Sequence, residues 1–330
     1  MSLLDSFWFV LVLKMVSIAT LVPVAGLLIG YAELKISAHM QHRVGPYFAG
    51  GRWGWAQLIA DGVKFFQKED IIPADADRPV FKWAPALVLL SAVGLFVVIP
   101  FGEGDVLVVR DLDIGIFYAL AISSIGTIGI LMAGWSSANK YSLMGGLRAA
   151  GQLIAYELPL VLSVIGVVIL AETMSLNGIV EAQASWGIPF IVPQLIGFVV
   201  FYIAALAEMS RIPFDMPIAE SELVTGFLTE YSGFRFLFFF LAEFANMFTF
   251  SAIAATLFLG GYDPIFFDVP VALGPLVLAS KIAILVFLMI WFRWTWPRIR
   301  EDQLQSFAWK WLIPVSLANI AITAVFKVVF

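Results

Sequence analysis

Apolar residues gather into eight stretches of spanning length, at about 7–30, 83–101, 114–134, 149–170, 188–207, 236–259, 271–292 and 307–329. A bilayer core is crossed by about 20 apolar residues in helical form. Backbone polar groups inside lipid must bond within their own segment, so the stretches predict helices. Alternating patterns of a β-barrel are absent. The first stretch has neither a basic leader nor a small-residue cleavage site, so it reads as a span and not as a removable signal. Pro189 and Pro193 make the start of the fifth span the weakest helical pattern of the eight.

One inner segment has a different period. In WGWAQLIADGVKFFQKE, residues 53–69, the apolar Trp55, Leu58, Ile59, Val63 and Phe66 share one helical stripe. Gln57, Asp61, Lys64 and Lys68 share another. This is an amphipathic interfacial helix, too short and too charged to span. Two uses remain open for it: a headgroup anchor, or the sill of a lateral opening for a lipid-like molecule.

Composition sharpens the class. The chain of 330 residues is 61% hydrophobic and 13% charged, whereas a soluble domain is about 45–50% apolar and about 25% charged. The expected fold is therefore an all-α polytopic membrane protein, one membrane domain over 1–330 with about eight transmembrane helices and the interfacial helix. There is no cysteine, so this chain alone builds no disulfide and no cysteine-held iron–sulfur cluster. Its two histidines, His39 and His42, lie three apart with no third protein ligand nearby in sequence. A metal site is not expected, and a solvated or phosphate-facing pair is. Neither a phosphate loop nor a dinucleotide fingerprint is present, and nothing points to nucleic acid.

Charge gives the orientation. The inner loops hold fifteen of the 19 lysines and arginines, in 31–82 and after spans three, five and seven. The outer loops hold Arg110 against Glu103, Asp105, Asp111, Asp113, Glu181, Asp263 and Asp268. The positive-inside rule places both termini outside and the odd loops inside. Lys14, Lys281 and Lys327 fall within or at the ends of spans. The outer loops read as short connectors, while the inner loops 31–82 and 208–235 are long.

Some acids sit where lipid is expected. Glu157, just before Pro159, lies in span four, Glu243 in span six, and Glu208 at the inner end of span five. A charged side chain at mid-bilayer costs about 2.5–3.5 kcal/mol on the mildest scale. These groups must be protonated, paired across helices or hydrated. A proton relay and a buried structural hydrogen bond are both open. The loop 208–235 carries five acids against Arg211 and Arg235, yet it is rich in apolar residues around Pro213 and Pro217. Such a segment folds inward and lines a cavity, or offers an acidic docking surface, or both.

The motifs RVGP at 43–46, QLIADGVKFFQKE at 57–69, GWSSANKYSLMGGLRAAGQLIAYELP at 134–159, AEMSRIPFDMPIAESELVTGFLTEYSG at 207–233 and FLAEFANM at 240–247 are long and specific. Through them nearly the whole chain resembles the quinone-chamber membrane subunit of proton-pumping NADH:quinone oxidoreductase, respiratory complex I. The resemblance implies a quinone substrate, ubiquinone or menaquinone, with flavin and iron–sulfur clusters on partner subunits. It implies as partners the soluble quinone-site subunit, the subunit with the terminal iron–sulfur cluster, a ferredoxin-like subunit and small membrane subunits, in a bacterial plasma membrane. It places Arg43, Asp61, Arg211, Phe214, Asp215, Glu220, Glu222 and Glu230 at or near the chamber, and Glu157, Glu208 and Glu243 on a proton path. Two departures stand out: Leu34, between Glu33 and Lys35, replaces a usual arginine, and Tyr47 replaces a usual asparagine. Related complexes fed by ferredoxin, a reduced deazaflavin or hydrogen use the same subunit type. An ion transporter and a purely structural anchor are the rival classes, and the paired broken repeats of a transporter are not visible.

Overall fold

The computed structural model describes residues 7–103, 107–265 and 270–329; Asp105 and Asp268 of the outer acidic set lie outside these residues. Among the described residues there are helices and turns and no strand. Seven helices have the length and apolarity to cross a membrane. They are α1 (Phe7–Met40), α3 (Arg78–Leu95), α4 (Gly115–Ser136), α5 (Lys140–Ala171), α9 (Gly233–Phe258), α10 (Gly274–Thr295) and the continuous stretch Glu301–Val329. That last stretch comprises α11 (Glu301–Phe307), a π-helical turn (Ala308–Leu312) and α12 (Ile313–Val329). The π turn lies just before Pro314, whose ring has no N–H and collides with the carbonyl four residues earlier, so the ladder widens there.

The fifth expected span, 188–207, is shorter than its hydropathy suggests. Its helix, α7 (Leu195–Glu208), has 14 residues, and residues 187–194 form turns around Pro189 and Pro193. At about 1.5 Å per residue, α7 falls short of a full crossing. The outer loops are not all short connectors either. Residues 172–194 contain α6 (Leu176–Trp186), started by Ser175, whose hydroxyl accepts from Gly178 N–H, and stopped by Gly187 at φ +68. Helices also outrun their apolar stretches. α1 continues to Met40, because nothing breaks it before Gly45 and Pro46, and α5 starts nine residues early, capped by Asn139. Hydropathy marks depth in lipid, whereas caps and prolines mark helix ends.

α5 is the axis of the bundle and packs against α4, α7 and α12, while α9 packs against α1, α3 and α10. Inside the bundle, polar side chains find partners across helices. Asn319 donates to Gln194 at 2.7 Å, and Gln194 donates to Thr323 at 2.5 Å, joining α12 to the turn before α7. In lipid such bonds hold helices together where the hydrophobic effect does not. The lysines of the spans turn to backbone carbonyls: Lys14 to Val108 and Val109, Lys281 to Gly261 and Asp263. Lys327 pairs with Glu172 at 3.0 Å.

The interfacial helix forms as α2 (Gln57–Gln67) and packs against α1 and α9. Its two stripes part only partly as the sequence indicates. Trp55, Ile59, Val63 and Phe66 are exposed on the outside of the chain, while Leu58 of the apolar stripe joins Asp61, Lys64 and Lys68 in lining a cavity.

Candidate functional site

The cavity has a volume of about 970 Å³. α1, α2, α9, the segment 210–228, the last turn of α10 and the chain just after it line it. Part of its wall is aromatic, with Phe65 from α2 and Phe236, Phe240 and Phe244 from α9. Facing these stand charged groups from four separate parts of the chain.

Arg211 is their centre. It is 4% exposed and follows α7, where Ser210 at φ +50 turns the chain inward. Its Nη1 donates to Glu33 Oε2 at 2.7 Å, and its Nη2 stands 2.9 Å from Glu243 Oε1. Nε of Arg211 has no hydrogen-bond partner among the described residues. Arg293 pairs with the second carboxylate oxygen of Glu33. The guanidinium carbon lies 5.1 Å from the ring centre of Phe244. Two cations and two carboxylates thus compensate one another beside an aromatic wall. Burial works against the Arg211 charge, but Glu243 and Glu33 outweigh it and hold its pKa above the ordinary guanidinium value.

A second pair closes the side nearest the acidic segment. Arg298 meets Asp215 with two parallel hydrogen bonds of 2.8 and 2.7 Å and reaches Ser221 at 3.1 Å. The hydrogen bond to Asp215 raises its pKa further. Such forked contacts fix direction as well as distance. On α2, Lys64 pairs with Asp61 at 2.6 Å. Arg43 lines the cavity and donates to Gln41.

Of the residues expected at a chamber, Arg43, Asp61, Arg211, Asp215 and Glu220 line this one cavity. Phe214, Glu222 and Glu230 do not belong to its lining. Phe214 is buried against Tyr156, with ring centres 5.3 Å apart. Glu222 pairs with Arg148, and Glu230 accepts from Asn139 at 2.5 Å. The three expected path acids separate into two groups. Glu243 lines the cavity. Glu157 and Glu208 lie apart from it, on α5 and α7, close enough for their charges to interact. Glu208 Oε2 is buried with no protein partner. The histidines stay apart from any metal-ligand cluster; among the described residues no group of three or more suitable side chains forms one.

Reasoning from the sequence missed Glu33, Arg293 and Arg298 as site residues. Glu33 carried a readable signal: a carboxylate closing an apolar stretch needs a buried partner. Arg293 and Arg298 are indistinguishable in sequence from other inner-side positive residues.

A bundle with seven described helices long and apolar enough to cross a membrane defines an integral multi-pass membrane protein. A family model described as NADH dehydrogenase matches residues 13–324. The H subunit of NADH-quinone oxidoreductase from Bacillus mycoides (strain KBAB4) is 51% identical over 302 residues, which is 91% of this chain and 88% of that one. The H subunits of the same enzyme from Anoxybacillus flavithermus (strain DSM 21510 / WK1) and Bacillus thuringiensis (strain Al Hakam) are each 50% identical over the same shares. The chain belongs to this family, the membrane-embedded H subunits of the NADH-quinone oxidoreductase complex, complex I.

Proposed function

We propose that the cavity is the membrane end of a quinone chamber, and that the charges lining it couple quinone reduction to proton translocation. The observation that carries this reading is the Glu33–Arg211–Glu243 cluster, with Glu33 and Arg211 buried, beside an aromatic wall in one cavity. A quinone has the same two-part chemistry, a polar head on an apolar tail. α2, with Ile59, Val63 and Phe66 exposed outside and Leu58, Asp61, Lys64 and Phe65 on the cavity, is suited to flank its entrance from the lipid.

Reduction of a quinone to its quinol consumes two electrons and two protons. The electrons arrive from clusters on partner subunits, since this chain has no cysteine to hold one. Head-group ligands come from the soluble quinone-site subunit, next to the subunits with the terminal cluster and the ferredoxin-like fold. Negative charge on a reduced quinone acts strongly on its neighbours in low dielectric. Arg211, with an unpartnered Nε, turns towards it. That releases Glu243 from its ion pair. Glu208 and Glu157 extend the response sideways to the small membrane subunits. Glu208 Oε2, buried with no hydrogen-bond partner among the described residues, is not tied into a fixed network. The substrate is ubiquinone or menaquinone, and the chain sits in a bacterial plasma membrane with both termini outside.

Two experiments test the two halves. Leu58→Trp puts a larger ring into the cavity from α2, a helix with no buried residue to disrupt. The apparent KM for a short-tailed quinone is expected to rise about tenfold, and labelling by a photoreactive quinone to fall with it. Unchanged KM and labelling would show that quinone does not use this cavity. For the relay, Glu157→Gln and Glu208→Gln are expected to lose most proton pumping in assembled complex while keeping part of the quinone reductase rate. Wild-type pumping in both variants removes the two acids from the path.

A further inference from the structure

We infer that Arg148, which lies outside the cavity lining, is a positioning residue that holds the acidic turn Glu220–Leu223 in place and thereby sets one wall of the cavity. This rests on the proposed quinone site. The turn is four residues long, too short to be stable alone, so its position is imposed by what grips it. From the cavity side, Arg298 binds Asp215 and Ser221. From the opposite side, Arg148 Nη1 donates to Glu222 Oε2 at 2.5 Å. Its Nε stands 3.5 Å from Glu301 Oε2, at the start of α11. Arg148 therefore hydrogen-bonds the turn from a base on α5 and stands within ion-pair distance of α11. One helical turn earlier on α5, Gly145 lets the backbones meet: a Cβ there would lie 2.6 Å from Phe227 N. The segment is thus seated on α5 by a glycine and pinned there by the arginine beside it. Glu220, two residues from the pinned Glu222, faces the cavity, so a shift of the turn moves a cavity-lining carboxylate.

Both carboxylates of Arg148 are about half exposed, so the contacts add little to overall stability. The effect belongs in substrate affinity. Lysine, a compact point charge on a flexible stem, does not match the planar spread of the guanidinium between the two carboxylates.

The test uses assembled complex in membranes, with NADH oxidation read against a short-tailed quinone and against a water-soluble acceptor that takes electrons before the quinone step. Arg148→Gln is expected to raise the quinone KM about three- to tenfold with a smaller change in kcat, and to leave the acceptor rate per complex unchanged. Arg148→Lys should restore part of the affinity. In a Glu222→Gln background, Arg148→Gln should add less than about twofold, since both remove one contact. Independent, multiplying effects overturn the inference. So does an unchanged KM in Arg148→Gln while Leu58→Trp raises it, and the quinone site then stands. If neither variant moves the KM, the site and the inference fall together. Should Arg148→Gln not assemble, Glu222→Gln must show the KM rise, and its absence is equally decisive.

Discussion

Arg211→Gln is expected to lower quinone reductase activity of the complex by at least about tenfold, a loss of about 1.4 kcal/mol or more in transition-state stabilisation. It should also destabilise the subunit. Arg211 is buried and serves two carboxylates, Glu33 and Glu243. Without it, Glu33 still has Arg293, but Glu243 loses its only ion-pair partner among the described residues. Breaking a buried pair from one side costs about 3–5 kcal/mol, because the remaining charge is left uncompensated. The partial exposure of Glu243 places the expected cost at the lower end. Two further variants separate charge from function. Arg211→Lys keeps a cation but reaches one carboxylate at a time, so it should assemble and remain slow. Arg211→Gln with Glu243→Gln removes the orphaned charge and should recover assembly without recovering activity. The measurements are the amount of this chain in purified complex and the rate with quinone. Wild-type turnover in Arg211→Gln would remove the cluster from the mechanism.

Gly226→Ala is expected to be the most damaging single-methyl change in the acidic segment. Gly226 has φ +57, and a Cβ there would lie 1.7 Å from the carbonyl oxygen of Pro217. The left-handed conformation alone costs a non-glycine residue about 1–3 kcal/mol. The overlap is with backbone, so no side chain can swing away to relieve it. The turns Met216–Ile218 and Gly226–Leu228 must then separate, and with them Asp215 and Glu220 on the cavity wall. Little of the variant should be found in assembled complex. Gly51→Ala is the control: its φ is +85, but a Cβ there meets nothing within 4 Å. It should assemble with a small loss of thermal stability. Equal behaviour of the two variants would mean that backbone contact does not hold the segment.

Legibility differed from residue to residue. The two stripes of α2 were readable because helical periodicity relates positions three and four apart. The inward fold of 208–235 was readable because a solvated loop has no use for Phe214, Leu223 and Phe227, all buried. The shortness of α7 was half readable: the prolines were visible, but not that their turns extend to Gln194. The helix α6 was hidden because its residues are neither strongly apolar nor strongly amphipathic.

The order of apolar and charged residues by itself determined the membrane class and seven of the eight expected spans, and it marked the acids within or at the ends of those helices. These depend on neighbouring residues, and burial in lipid acts on each stretch nearly independently. Only the tertiary structure decided which acid meets which arginine. Glu33 is bound by Arg211, 178 positions away, and by Arg293, 260 positions away. No local pattern carries such a pairing. It arises when α1, α9 and the ends of α7 and α10 pack together, and burial of Glu33 and Arg211 leaves those two charges little solvent to turn to.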